Sequence, residues 1–259
     1  MVHKKKRVLG IDIIRGLALI NMVIYHLLYD LAYIFGQSIS WFSIRKCFVW
    51  QQMICFTFII VSGCSFRLSR RPYKNGLTIM LGAMILSAAT LLVIPDELIV
   101  FGILHFLAAA ILLTMLMRPV LTRIPAKIGL PLALILFIVF RNLPYGYLSI
   151  FTFAQYPLPP SLYQTSFLFW IGLPQASFAS ADYFPLFPWW FLYLAGFYFH
   201  DYYLRSADYL QEKYALADKK IYQAFDCSFG LLGRHSLLIY MLHQPIIYGV
   251  LTLFFHLRH

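Results

Sequence analysis

Apolar runs near the length that a helix needs to cross a bilayer, about 20 residues, divide most of this 259-residue chain. They lie at residues 9–35, 48–66, 76–95, 98–117, 126–141, 185–204 and 235–256. Hydrophobic residues make up 61% of the sequence and charged residues only 12%, a composition too apolar for an ordinary soluble domain. The sequence therefore predicts an all-α, polytopic transmembrane helix bundle with about seven spans, within a range of six to eight, forming a single domain over residues 1–259.

Basic residues cluster in alternate loops between these runs. The clusters are Lys4, Lys5, Lys6 and Arg7, then Arg67, Arg70, Arg71 and Lys74, then Arg118, Arg123 and Lys127. By the positive-inside rule they predict a multi-pass protein of the cell membrane with a cytoplasmic N-terminus. The same rule accounts for the net charge of +11 without nucleic acid as a partner, and it makes membrane lipids the expected surroundings. The basic N-terminus lacks a small-residue cleavage site, so the first apolar run is expected to remain as a membrane helix.

The stretch from residue 142 to 184 interrupts this pattern. Pro157, Pro159, Pro160 and Pro174 break any long helix there, and aromatic residues are frequent. We expect an extracytoplasmic cap or a re-entrant segment, whose aromatic residues either form an interfacial belt or line an acceptor pocket. A further crossing hidden here would move the C-terminus from the predicted extracytoplasmic side to the cytoplasm.

Four acidic or basic side chains interrupt the first apolar run, namely Asp12, Arg15, His26 and Asp30. At about 3.6 residues per turn they share a stripe roughly 60° wide, with Arg15 and His26 roughly 16 Å apart. Charged groups within a membrane span are costly and usually mark a site. The alternative is structural: Asp12 and Arg15 pair near the membrane surface while His26 and Asp30 bond to other helices.

His26 has Asp30 one helical turn away, a spacing at which side chains can meet. A carboxylate in that position can fix the imidazole tautomer and stabilise the imidazolium, as a general base requires. We therefore predict His26 as a base or, alternatively, a nucleophile, with Asp30 orienting it.

Other candidates lie outside this helix. Arg67, Arg70 and Arg71 follow the second run, where guanidinium groups suit phosphate binding or, alternatively, anchor the helix at lipid headgroups. His105 and His243 lie in later runs, where a histidine that only packs between helices is the alternative. Cysteines 47, 55, 64 and 227 lack metal-ligand spacing and are expected to be packing residues, and no metal is expected.

The segments that carry these candidates resemble the catalytic-domain family of heparan-alpha-glucosaminide N-acetyltransferase, in its short bacterial members. The matching stretches are residues 11–19 continuing to His26 and Asp30, Phe101–His105, Asp182–Trp189, Gly233–Tyr240 and His243–Pro245. The ten residues between Arg15 and His26 are also similar to a pattern of the broader membrane acyltransferase-three superfamily. Two positions depart from the heparan-acetylating enzymes: Gln37 stands where they have a catalytic histidine, and His26 stands opposite an asparagine.

The resemblance implies an acyltransferase-like domain that moves an acyl group, usually acetyl, from cytoplasmic acyl-CoA to an extracytoplasmic hydroxyl or amine. Acetyl-CoA would be the co-substrate, held by Arg15, Arg67, Arg70 and Arg71, and a sugar, glycan or small molecule would be the acceptor. His26 would deprotonate the acceptor, His105 or His243 would steady the oxyanion, and Asp182 and Trp189 would contact the substrate. Direct transfer and an acyl-histidine intermediate stay open, as do monomer and homodimer.

A proton- or anion-coupled transporter using the same polar stripe is the main alternative function, because intramembrane Arg, His and Asp also serve as relays. A non-catalytic membrane scaffold is a third. Only the acyltransferase predicts binding of acyl-CoA.

Overall fold

The computed structural model describes residues 9–150, 153–204 and 226–257. Eight α-helices are found in these ranges: α1 (Leu9–Tyr29), α2 (Ile44–Leu68), α3 (Pro72–Val93), α4 (Ile103–Leu121), α5 (Ala126–Phe140), α6 (Leu186–Phe199), α7 (Leu231–Arg234) and α8 (Ser236–His256). Two short strands, β1 (Tyr147–Ile150) and β2 (Ala154–Pro157), are paired antiparallel. The predicted all-α polytopic fold is confirmed.

Six helical segments of the described chain are long and apolar enough to cross a membrane. They are Gly10–Ile34, Arg45–Leu68, Pro72–Val93, Ile103–Leu121, Ala126–Tyr145 and Ser236–His256. The run predicted at residues 185–204 forms α6, which has 14 residues and therefore spans about 21 Å, less than the roughly 30 Å of a bilayer core. A π-helical turn continues it to Leu204. A seventh crossing at this position stays a prediction.

The basic cluster at residues 4–7 lies outside the described residues. The alternation of charged loops also predicts that the segment Asp201–Lys220 is cytoplasmic, and residues 205–220 of that segment lie outside the described residues as well. The described basic residues Arg70, Arg71, Arg118 and Arg123 are exposed. Their exposure agrees with positions at a membrane surface.

One compact unit comprises residues 1–61 and 213–259. Within its described part, α1 packs against α7, α8 and a π-helical turn at Asp226–Gly230. Its apolar core joins α1 to the first half of α2, through Leu19, Met22, Tyr25, Cys47 and Ile54. After Tyr29, α1 continues as a π-helical turn over Asp30–Ile34.

The second compact unit comprises residues 62–212. Helix α3 packs on α4, and α6 packs on both α4 and α5. Gly63 lies so close to α6 that a Cβ at this position would collide with the carbonyl oxygen of Tyr193. The nearby Cys64 is buried and donates its thiol to the Gly196 carbonyl at 3.1 Å. Small residues thus allow close helix contact here, as is common in membrane proteins.

The fourth span begins at Ile103 and not at residue 98, where the apolar run starts. The intervening backbone is not helical, and side chains bond its donors: Val100 N–H donates to Ser180 Oγ at 3.2 Å, and Ile103 N–H donates to Asp182 Oδ2 at 2.9 Å. Asp182 therefore satisfies one of the unpaired donors at the start of α4 from 79 residues away. A run of apolar residues alone cannot reveal this cap.

The stretch from 142 to 184 contains the β1–β2 hairpin, which the sequence analysis did not predict, besides short turns that contain Pro160 and other prolines. Two tyrosines fasten it: Tyr163 Oη donates to the Leu143 carbonyl and Tyr183 Oη to the Phe169 carbonyl, each at 2.6 Å. Burial raises the pKa of both tyrosines, so both hydroxyls stay neutral donors at physiological pH.

Two glycines make the closest approach between α1 and the C-terminal segment. A Cβ on Gly16 would collide with the carbonyl of Phe229, and a Cβ on Gly233 with the carbonyl of Asp12. Gly10, in the same α1 helix, has nothing within 4 Å of an added Cβ. The two contacts leave no room for even one methyl group.

We predict that Gly16→Ala and Gly233→Ala each lower the free energy of unfolding by about 1–3 kcal/mol, because a backbone carbonyl must move to admit the methyl group. Gly10→Ala is the matched control, and its higher helix propensity predicts no loss of stability. Thermal unfolding of the detergent-purified variants measures both. Equal effects of Gly10→Ala and Gly16→Ala would contradict the close packing.

Candidate functional site

A buried carboxylate joins the end of α1 to α8. Asp30 is wholly buried, and both of its oxygens accept hydrogen bonds from Gln244 Nε2, at 2.9 and 3.0 Å. Asp30 opens the π-helical turn, so its surroundings differ from those of a regular α-helical position. The helical spacing predicts Asp30 as a partner of His26 and does not reveal Gln244. A polar residue in the apolar run of α8 was the available signal.

The adjacent residue, His243, faces His26. The centroids of the two imidazole rings are 4.9 Å apart with the planes inclined by 55°. His243 is buried, and Tyr240 contacts its ring on the same helix at 5.4 Å. The two histidines that the sequence analysis placed on different helices are therefore brought together.

The backbone selects the tautomer of His243. Nδ1 lies 2.6 Å from the carbonyl oxygen of Tyr240, and a carbonyl oxygen only accepts, so Nδ1 carries the hydrogen. The neutral ring then has its lone pair on Nε2. That atom is buried and has no hydrogen-bond partner within the described chain. A buried, unpaired acceptor is costly, and such a group in a native structure requires an explanation.

His26 is less constrained than His243. Its ring lies edge-on to Tyr25, with centroids 5.4 Å apart, and neither ring nitrogen has a hydrogen bond to a described residue. Either tautomer is open to it. The pair can therefore present one fixed lone pair, on His243, and one adaptable donor or acceptor, on His26.

At the other end of α1, Arg15 is engaged by protein. Its Nη1 lies 3.0 Å from Asp12 Oδ1 and 3.4 Å from the Gly233 carbonyl, and both side chains of the ion pair are mostly buried. This geometry agrees with the structural pair that was the alternative for Asp12 and Arg15. A contact from Arg15 to acyl-CoA stays a prediction.

The three arginines after α2 differ from one another. Arg67 forms a two-point ion pair with Asp201, its Nε lying 2.9 Å from Oδ1 and its Nη2 bonding Oδ2. Its guanidinium also lies over the ring of Phe197, 4.5 Å from the centroid. Arg70 and Arg71 are exposed. Of the three, Arg70 and Arg71 are the ones whose placement suits recruitment of a soluble anion.

The remaining candidates lie in the second unit. His105 stacks on Phe101, with ring centroids 5.7 Å apart, in the first turn of α4. Asp182 caps that same helix, and Gly102 gives it room, since a Cβ there would lie 2.5 Å from Asp182 Oδ2. Trp189 packs between Phe137 and Phe184, at centroid distances of 5.6 and 5.0 Å. Substrate contacts from Asp182 and Trp189 stay predictions, as does a catalytic role for His105.

Three further points concern the predicted chemistry. Cys47, Cys55 and Cys64 are buried, in keeping with packing roles. No group of three His, Cys, Asp or Glu side chains in the described ranges is arranged to hold a metal ion.

Gln37, at the position where the heparan-acetylating enzymes have histidine, is exposed, and its Nε2 donates to the Phe35 carbonyl at 3.1 Å.

Comparison with known proteins agrees with these features. No curated protein and no solved structure matches the chain. Residues 7–245 match the family described as heparan-alpha-glucosaminide N-acetyltransferase, catalytic. This match covers nearly the whole chain, including both facing histidines and every other candidate residue, and it suggests an acetyltransferase-type enzyme. Together with six helices long enough to cross a membrane, it shows that the chain belongs to the heparan-alpha-glucosaminide N-acetyltransferase catalytic family.

Proposed function

We propose that this protein is a membrane acyltransferase that moves an acetyl group from cytoplasmic acetyl-CoA to a hydroxyl or amine of an extracytoplasmic sugar, glycan or small molecule. The observation that carries the proposal is the lone pair on His243 Nε2, buried beside His26 in a member of an acetyltransferase family. A buried lone pair without a partner is suited to accept a proton from a bound O–H or N–H group.

We propose His243 as the base in place of His26, to which the sequence pattern assigns that role. The Nδ1–H of His243 is held by the Tyr240 carbonyl, so Nε2 is the acceptor without any rearrangement. Asp30, which was expected to orient His26, holds Gln244 and thereby fixes the helix turn that carries His243. We therefore propose that His243 is the general base and that His26 lies beside the reacting groups without serving as the base.

The proposed transfer balances in protons and electrons. His243 Nε2 removes the proton from the acceptor's hydroxyl or amine, whose oxygen or nitrogen then bonds to the acyl carbon. The bond between that carbon and sulfur breaks, and its electron pair leaves with the CoA sulfur. His243 returns the proton to that sulfur, so one histidine serves as base and then as acid.

For acyl-CoA binding, we propose Arg70 and Arg71 as phosphate contacts. Both are exposed, and planar guanidinium groups bond phosphate through two oxygens. Arg67 would have to give up Asp201 to do the same, which makes it a structural residue in this scheme. Arg15 stays a proposed contact whose removal also breaks its pair with Asp12.

We predict that His243→Asn lowers acetyl transfer by about 10²–10⁴-fold, the usual contribution of general acid–base catalysis. Asparagine keeps an N–H near the Nδ1 position, where it can still bond the Tyr240 carbonyl, but it has no group at Nε2. The assay follows radiolabelled acetyl-CoA in proteoliposomes with glucosamine, which offers an amine and hydroxyls, and with glucose, which offers hydroxyls only.

Two variants control this experiment. His235→Gln changes an exposed histidine of the same unit and should leave the rate unchanged. His26→Asn, the residue that the heparan enzymes are predicted to have at this position, should cost less than His243→Asn. The assignment of the base would be wrong if His26→Asn abolished transfer while His243→Asn retained it at full binding of acetyl-CoA.

We also predict that Arg70→Ala/Arg71→Ala weakens acetyl-CoA binding at least 10-fold, measured by calorimetry on the purified protein. The matched control is Arg45→Ala/Lys46→Ala, which removes two exposed cations from the other end of α2. Equal weakening by both pairs would indicate non-specific charge attraction. Absence of saturable binding to folded wild-type protein would contradict the acyltransferase and favour transport through the same polar groups.

A further inference from the structure

A partly open cavity of about 320 Å³ lies in the second unit, at the junction of α5 with the β1–β2 hairpin. It is lined by Phe137, Ile138, Arg141, Asn142 and Ser149. The volume is at the lower end of the range for small-molecule sites, about 300–1,000 Å³. None of the residues that carry the proposed acyl transfer lines it.

The lining offers hydrogen-bond donors together with one aromatic wall. Arg141 is half-buried, and its guanidinium lies 5.6 Å from the centroid of the Phe137 ring. An arginine that serves only as a surface anchor extends into the headgroups and water. Here the guanidinium is instead drawn over a ring at the cavity wall.

Ser149 supplies a second donor. It is 2% exposed, and its Oγ accepts the Asn142 Nδ2–H at 2.6 Å. That contact occupies a lone pair of the hydroxyl and leaves its own hydrogen to be donated elsewhere. The hairpin pairing of Ser149 with Gln155 holds this residue in place.

Among the described residues that line the cavity, Arg141 is the one charged group. A guanidinium bonds two oxygens of a carboxylate or phosphate at once, and an adjacent hydroxyl can serve a third acceptor. The Phe137 ring beside the Arg141 guanidinium can pack against the less polar face of a compact ligand. The cavity therefore offers a cation for an anionic group and enough volume for a ligand of roughly hexose size.

We infer that this cavity binds a carboxylate or phosphate group carried by a small ligand or a lipid headgroup, with Arg141 and Ser149 as the groups that hold the anion. By the predicted topology, the C-terminal end of α5 is extracytoplasmic, the side on which the acceptor is expected. The inference does not depend on acyl transfer, because binding to this cavity requires no acyl-CoA.

The test measures binding of radiolabelled glucuronate and of inorganic phosphate to the full chain in phosphatidylcholine nanodiscs, with glucose as the neutral counterpart of glucuronate. We expect saturable binding of at least one anion and at least 10-fold weaker binding of glucose. Arg141→Gln should weaken anion binding at least 10-fold, and Arg141→Lys, which keeps the charge without the planar fork, should give a smaller loss. Arg123→Gln, at an exposed arginine of the same unit, should change nothing.

A second variant and a lipid arm complete the design. Ile138→Phe fills the cavity without altering charge and should also abolish anion binding. It therefore tests the inference independently if Arg141→Gln fails to fold. Nanodiscs containing phosphatidylglycerol should compete with the soluble anion if the natural occupant is a headgroup, and should not compete if it is a soluble ligand. The inference is overturned if glucuronate, phosphate and phosphatidylglycerol all bind wild type and Arg141→Gln equally, or none binds wild type.

Discussion

The hydrogen bonds from Gln244 to Asp30 are the constraint on which the rest of the first unit depends. A carboxylate with no exposed surface in a membrane helix must have its oxygens satisfied by protein, because neither water nor lipid can do so. Gln244 bonds both oxygens, and this fixes which face of α8 meets α1. His243, the neighbour of Gln244, is thereby held against His26. A polar contact of structural origin thus positions the groups to which we assign the chemistry.

Close backbone packing reinforces the same arrangement at the opposite end of α1. Gly16 and Gly233 let the C-terminal segment approach until a carbonyl occupies the space of a side chain. Arg15 then bonds both Asp12 and the Gly233 carbonyl, so a charged pair lies against backbone and not against lipid. Within a bilayer, where apolar surface gains little from association, such contacts and hydrogen bonds are what hold helices together. Asp12 and Arg15 therefore contribute to helix packing in the structure, whereas we propose a functional role for His26.

Sequence reasoning was sufficient for features that depend on local pattern. Long apolar runs predicted the six helices that are long enough to cross a membrane, and helical spacing predicted one polar stripe for Asp12, Arg15 and His26, which lie on α1, and Asp30, which opens the turn after it. It was insufficient wherever a partner comes from far along the chain. Gln244 reaches Asp30 across 214 residues and Asp182 caps α4 across 79, and no periodicity encodes either contact. The early start predicted for the fourth span and the failure to foresee Gln244 as a partner of Asp30 share this cause. The β1–β2 hairpin was not predicted because its strands have only four residues each and lie in a stretch whose prolines and aromatic residues gave no recognisable strand pattern.

Arginines illustrate the same limit in the functional assignments. Arg67, Arg71 and Arg141 are alike in sequence terms, since each ends or follows an apolar run. In the structure, Arg67 is held by Asp201 and a phenyl ring, Arg71 is exposed, and Arg141 lines a cavity beside a buried serine. A guanidinium that is already neutralised by a two-point carboxylate, as Arg67 is by Asp201, must lose that partner before it can bind an anion. We therefore assign the proposed anion contacts by the groups that the fold places around each arginine, and not by where arginine occurs in the sequence.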